Sequence, residues 1–179
     1  IKYAEEAIES AKAANYKEAL EQSKYVMALS YEVLKNTDKA NELYRELIKE
    51  NTKKPDVYIK IFAANQAAKE TDKAINVLKR GVKNLPENAQ LKALLGSTYL
   101  ANGNKEEAEK IIQSLLALGE KKEVFNYVGD IYRDASDITK AEEYYNKSLA
   151  LEPAQTDAYF GLASTYFNKA VDVLKEADK

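Results

Sequence analysis

No cysteine, histidine or tryptophan occurs among the 179 residues. Without cysteine there is no disulfide framework, no thiolate nucleophile and no cysteine-ligated zinc. Lack of histidine removes the commonest general acid–base and the commonest transition-metal ligand. The missing tryptophan takes away the strongest aromatic anchor. Arginine is also scarce: only Arg45, Arg80 and Arg133 stand among 27 basic residues. Arginine is the preferred fork for phosphates and base edges, so nucleic acid is not expected as a partner. Charge of one sign is missing as well. Against the 27 basic residues stand 29 acidic ones, for a net charge of -2, which provides no bulk attraction to nucleic acid or to an anionic membrane. No apolar run of about 18 residues exists, so no membrane span is expected. No signal-like stretch stands at the start. The first residue is Ile1 rather than methionine, which predicts a processed product or an excised piece of a longer chain. The compartment stays open: a soluble protein of cytoplasm or periplasm fits equally.

Proline and glycine are few, 3 and 6, and most of them fall between stretches where apolar residues recur three and four apart. Strict alternation is nearly absent. This periodicity predicts an all-helical chain. A longer period lies above it. Alanines stand at 40, 74, 108 and 141, in steps of 34, 34 and 33. Lys39-Ala40 follows Thr37-Asp38, Lys73-Ala74 follows Thr71-Asp72, Glu107-Ala108 follows Asn104-Lys105, and Lys140-Ala141 follows Asp137-Ile138-Thr139. Each is a polar N-cap candidate followed by an alanine on a packing face. Upstream, Met27-Ala28 with Tyr31, Leu95-Gly96 with Tyr99, Val128-Gly129 with Tyr132, and Leu162-Ala163 with Tyr166 keep the same register. Pro86 and Pro153 each follow a second helix, where the chain cannot stay helical.

These offsets resemble the tetratricopeptide repeat family: a large residue, a small one and a Tyr, then Ala, an aromatic, Ala and Pro. The stretch from Lys122 to Pro153 matches best, with Phe125, Val128, Gly129, Tyr132, Ala141, Tyr145, Ser148 and Pro153. In the repeat from Asp56 to Pro86, Phe62 takes the usual small position and Asn65 replaces the Tyr. Pentatricopeptide repeats run 35 residues with a basic RNA-binding surface, and Sel1-like repeats run nearer 36; neither suits this chain. The resemblance implies an all-α, right-handed superhelical solenoid of antiparallel helix pairs. Residues 1–179 then read as a single array: a partial repeat 1–20, repeats near 21–54, 55–88, 89–121 and 122–155, and a long or capping helix over 156–179. Helices are predicted near 3–14, 16–35, 38–51, 55–69, 72–84, 88–102, 105–118, 122–135, 138–150 and 156–177. One helix pair cannot bury its apolar face alone, and stacking neighbours completes the core. Small residues at 28, 96, 129 and 163 permit close helix approach. Two registers compete at the start. Ala14 to Ala19 reads locally as the turn inside a repeat, whereas counting back from Ala40 makes 3–14 the second helix of a truncated repeat; the counted register is preferred.

In the resembling family the first helix of each pair lines a groove that holds extended peptides or partner helices. That geometry would expose Tyr25, Leu29, Glu32, Ile59, Ala63, Gln66, Ala93, Ser97, Leu100, Asn126, Asp130, Arg133, Phe160, Ser164 and Phe167. Phe160 and Phe167 share a helix face, as an aromatic anchor for a partner or as the packing surface of a next repeat or an oligomer neighbour. Asp130 and Asp134, one turn apart, read as an acidic pocket for a basic peptide or as a solvated face offset by Arg133. The Lys and Asn clamp that chaperone-binding members close on a carboxylate is not matched. Ile59, Ala63, Ala93, Ser97, Asn126, Asp130, Phe160 and Ser164 fill its positions, and Asp130 would repel a carboxylate.

The acidic pairs Glu5-Glu6, Glu106-Glu107 and Glu142-Glu143 do not make a hydrolase. Sequence neighbours diverge by about 100° on a helix, and no opposing carboxylate is indicated. Asn102-Gly103-Asn104 is an interhelix turn without a phosphate-loop context. Most of the 13 tyrosines fall on repeat positions and read as core rather than as a stacking platform. No catalytic residue, metal ligand or cofactor is expected. The sequence points to a protein-interaction scaffold with a protein or peptide partner. The alternative is an assembly subunit, a homo-oligomer stacking through the apolar stripe from Tyr159 to Ala177.

Overall fold

A computed structural model describes residues 1–13 and 16–177. Among these there are ten α-helices: α1 Lys2–Ala13, α2 Lys17–Val33, α3 Thr37–Lys49, α4 Pro55–Ala67, α5 Thr71–Asn84, α6 Ala89–Ala101, α7 Lys105–Leu116, α8 Lys122–Asp134, α9 Ile138–Leu151 and α10 Thr156–Ala177. The chain is all-α, built from antiparallel helix pairs, and the bounds fall within two residues of the periodicity. Ala14 and Asn15, the centre of the local turn reading, lie outside the described residues.

Turn chemistry sets the period. Lys35, Lys69, Gly103 and Ser136 all have positive φ, at 58°, 58°, 75° and 59°. Each follows a first helix. The next N–H then donates to a carbonyl five residues back: Asn36 to Tyr31, Glu70 to Asn65, Asn104 to Tyr99 and Asp137 to Tyr132, at 2.8–2.9 Å. This reverse turn satisfies helix-end carbonyls and starts the second helix at once. It also moves the caps. Asn36 and Glu70, not Thr37 and Thr71, are the N-cap residues, because the turn ends one residue earlier than the polar pattern suggests. Asn36, Asn88 and Asp137 accept a backbone N–H from three residues on, which is the usual capping bond. Pro55 begins α4, where its missing N–H costs nothing.

The helices form two compact units, Ile1–Pro86 and Glu87–Lys179. In the first, α1 packs on α2, α2 on α3, α3 on α4 and α4 on α5. Ile8 and Ala11 are the buried residues of α1, while Ala7 is exposed. Tyr44, Leu47, Val57, Tyr58, Ile61, Ala74 and Leu78 form the interior of this unit. In the second, α6 pairs with α7, α8 with α9, and α8 also packs on α6 and α10. Its core holds Ile112, Leu115, Val128, Ile131, Ala141, Tyr145 and Ala158. The period alanines Ala40, Ala74, Ala108 and Ala141 are all buried, as close helix contact requires.

Glycines make room for Tyr145. A Cβ on Gly129 would come within 2.7 Å of the Tyr145 ring, and one on Gly161 would overlap it outright. The small position that matters on α10 is therefore Gly161, not Ala163, which is exposed. The reason is one of faces. Ala158, Gly161 and Thr165 are the residues α10 buries as it packs against α8 and α9. Leu162, Ala163 and Tyr166 correspond to residues by which α8 receives α9, and no further helix follows α10 among the described residues.

Candidate functional site

The expected binding residues lie on the first helices of the pairs, so each unit has its own set. In the first unit they come from α2 and α4, which long polar side chains tie together. The Tyr25 hydroxyl donates to Asp56 Oδ2 at 2.5 Å, and Lys54 Nζ sits 4.7 Å above the Tyr25 ring. The phenol is pushed up to about 12, first by its hydrogen bond to Asp56 and then by burial. Lys60 Nζ donates to both oxygens of Glu32 at 2.8 Å. Behind this layer the Tyr44 hydroxyl is buried with no hydrogen-bond partner among the described residues. Burial first, and the nearby Glu32 charge second, raise its pKa. Leu29 and Ile59 are half-buried; Ala63 and Gln66 are exposed.

In the second unit α6, α8 and α10 carry the set. Arg133 is its electrostatic centre. It donates to Asp130 Oδ1 at 2.6 Å, to Asp134 Oδ1 at 2.9 Å and to the Tyr145 hydroxyl at 3.2 Å. Tyr145 in turn donates to the same Asp130 oxygen at 2.8 Å. Burial raises the Asp130 pKa, and the donors Tyr145 and Arg133 hold it back. Tyr145 is raised by burial and then by the Asp130 charge. Burial acts to lower Arg133, and Asp130, Tyr145 and Asp134 together outweigh it. Ser97 Oγ reaches Asp134 Oδ2 at 3.3 Å, which brings α6 into the same network.

The remaining residues divide by exposure. Ala93 is buried, and Leu100 and Ser164 are half-buried. Asn126 is buried too: its amide donates to Gln155 Oε1 at 2.9 Å, Gln155 donates to Ser148 Oγ, and Ser148 donates to the Lys122 carbonyl. The Asn126 Oδ1 atom has no hydrogen-bond partner among the described residues. Phe160 and Phe167 stand at the opposite extreme, 73% and 68% exposed. The Tyr145–Asp130 bond escaped sequence reasoning, since its members are fifteen residues apart and on different helices. The matched signature Tyr and the flagged Asp were the available signals.

Among the described residues no helix is long and apolar enough to cross a membrane. No group of three or more acidic residues there is arranged to hold a metal ion.

A family model described as tetratricopeptide repeat matches residues 34–96 and 66–126, and a second of the same description matches 124–155. The chain is 29% identical over 103 residues to the human antiviral innate immune response effector IFIT1, a stretch that is 57% of this chain and 21% of that protein. It therefore spans about a fifth of the length of that curated relative. Among solved structures it resembles a tetratricopeptide repeat protein from Parabacteroides merdae, with a TM-score of 0.67 and 17% identity over 98% of this chain and 69% of the other. It also resembles BtubC from P. vanneervenii, with a TM-score of 0.62 and 21% identity over 99% and 85% of the two chains. At these identities the likeness is one of fold.

Proposed function

We propose that this chain, which belongs to the tetratricopeptide repeat family, is a protein-interaction scaffold that holds an extended peptide or a partner helix against its first helices. The exposure of Phe160 and Phe167 on one face of α10 carries the reading. Large aromatics left in water on a rigid helix are the usual energetic centres of protein interfaces. Beside them, Ser164, Asp130, Arg133, Ser97 and Leu100 supply hydrogen-bonding and small apolar contacts. The network around Arg133 is preformed, so a partner meets ordered polar groups rather than having to order them. Tyr25, Leu29 and Ile59 are the corresponding contact residues of the first unit. The reading needs no catalytic group, metal or cofactor.

The test is affinity capture from an extract of source cells, with the parent chain beside a Phe160→Asp, Phe167→Asp double variant. The expected outcome is a partner retained by the parent and lost by the variant while circular dichroism stays helical. Capture of the same proteins by both would overturn the reading.

A second reading has its own observation. On α10, Tyr159 and Tyr166 are 54% and 48% exposed. This stripe is the one that α8 covers with α9. It supports self-assembly, a copy of the chain covering the open face.

A further inference from the structure

One repeat departs from the others at the signature tyrosine, and a cavity opens there. Tyr31, Tyr99 and Tyr132 are each buried at this position. The repeat over 55–88 has Asn65 instead, whose side chain has half the heavy atoms of tyrosine and no ring. A cavity of about 300 Å³ lies beside it, within the first unit. Ile48 of α3, Ile61 of α4 and Val77 of α5 give it apolar walls. Asn65 is only 4% exposed and lines the cavity, and its side-chain amide makes no hydrogen bond among the described residues.

The surroundings specify what fits. Lys39 Nζ lies 5.3 Å above the Tyr31 ring, and Lys140 Nζ lies 4.7 Å above the Tyr132 ring. Lys73 occupies the same place, one residue before the period alanine, and lines the cavity with no ring beneath it among the described residues. Its ammonium meets Glu70 at 2.7 Å at the exposed edge. Two more cations stand at the mouth, Arg45 and Lys49. The α3 carboxylates nearest in sequence, Glu46 and Glu50, are engaged by Lys24 instead. The corresponding positions are Lys79 and Lys83 on α5 and the uncharged Gln113 and Ala117 on α7. The rim of the cavity is therefore cationic.

We propose that this cavity receives an aromatic side chain of a partner protein, presented between acidic residues. The ring would lie where the repeat's own tyrosine lies elsewhere, against Val77 and beneath Lys73, as a cation–π contact. Acidic neighbours in the partner would meet Arg45 and Lys49. The Asn65 amide would hydrogen-bond to the partner's backbone or to a phenolic hydroxyl. This face is separate from Ile59, Ala63 and Gln66 on α4, so it operates independently of the first-helix contacts.

The experiment is an NMR titration of the full chain with a blocked pentapeptide, one phenylalanine flanked on each side by two glutamates. Saturable shifts of the Asn65 side-chain amide and of the Ile48, Ile61 and Val77 methyls are expected. Alanine in place of the phenylalanine should abolish them, and lysines in place of the glutamates should weaken binding about tenfold or more. Asn65→Tyr supplies the repeat's own ring: it should raise the melting temperature and eliminate binding. The surface double variant Arg45→Gln, Lys49→Gln keeps the walls and should weaken binding several-fold. Phe160→Asp, Phe167→Asp should leave the titration unchanged. Equal shifts with the alanine peptide, unchanged binding by Asn65→Tyr, or unchanged binding by the rim variant would each overturn the proposal.

Discussion

Lys35, Lys69 and Ser136 hold a backbone conformation that an L side chain resists, because Cβ crowds the following carbonyl. At the same place the repeat over 89–121 uses Gly103. The bond from the next N–H to the carbonyl five back is made in all four, so the turn is fixed by the surrounding helices and the side chain merely tolerates it. Lys69→Gly should therefore stabilise the protein by about 0.5–1 kcal/mol, the relief of strain less the added freedom of the unfolded chain. Urea denaturation measures it; a loss of stability would mean the Lys69 side chain contributes more than the strain removes. The sequence betrays these positions poorly. Gly103 advertises a turn, whereas Lys35 and Lys69 look like surface lysines. For the same reason the polar pattern set two caps at Thr37 and Thr71, one residue late. A run of polar residues marks a helix start but not which member leaves the helix.

At the scale of the element, the helices were legible because their apolar spacing is strong and unbroken, and the bounds differ by two residues or fewer. The faces were harder to assign. Within a unit a first helix packs in two directions, as α8 does toward its own second helix α9 and back toward α6 and α7. On α10 the repeat register marked Leu162, Ala163 and Tyr166, which serve the first direction. Gly161, which serves the second, matches no signature position, since Lys60 stands there in the repeat over 55–88. Only the Tyr145 ring makes Gly161 necessary. Gly161→Ala should thus cost about 1–3 kcal/mol, the usual range for overpacking a core. The cost should fall in a Tyr145→Leu background, because Leu78 holds the matching position of its own repeat and is shorter than tyrosine. A double-mutant cycle in chemical denaturation isolates the coupling. Additive effects would mean that the ring moves aside and the glycine is not needed for it. Tyr145→Leu also removes a donor from Asp130, which stays bonded to Arg133, so the cycle reads packing against a common background.

For the molecule as a whole, composition decides how its surfaces behave in solution. With 27 basic and 29 acidic residues the net charge is only -2, so long-range repulsion between copies is weak. Most large apolar side chains are buried, yet α10 alone exposes Tyr159, Phe160, Tyr166, Phe167, Val173 and Leu174. Contiguous apolar surface of this kind favours association. The two faces of α10 are separable, because Tyr159 and Tyr166, seven apart, belong to the stripe toward a following helix, and Phe160 and Phe167 to the first-helix face. Light scattering should show an average mass that climbs above 20.1 kDa as concentration rises. A Tyr159→Lys, Tyr166→Lys variant should remain at the monomer mass, while Phe160→Asp, Phe167→Asp should still associate. Association abolished only by the phenylalanine variant would transfer self-assembly to the first-helix face and leave the stripe without a role. A constant monomer mass in the parent would remove the assembly reading, and with it the need for any copy to cover the face that α8 gives to α9.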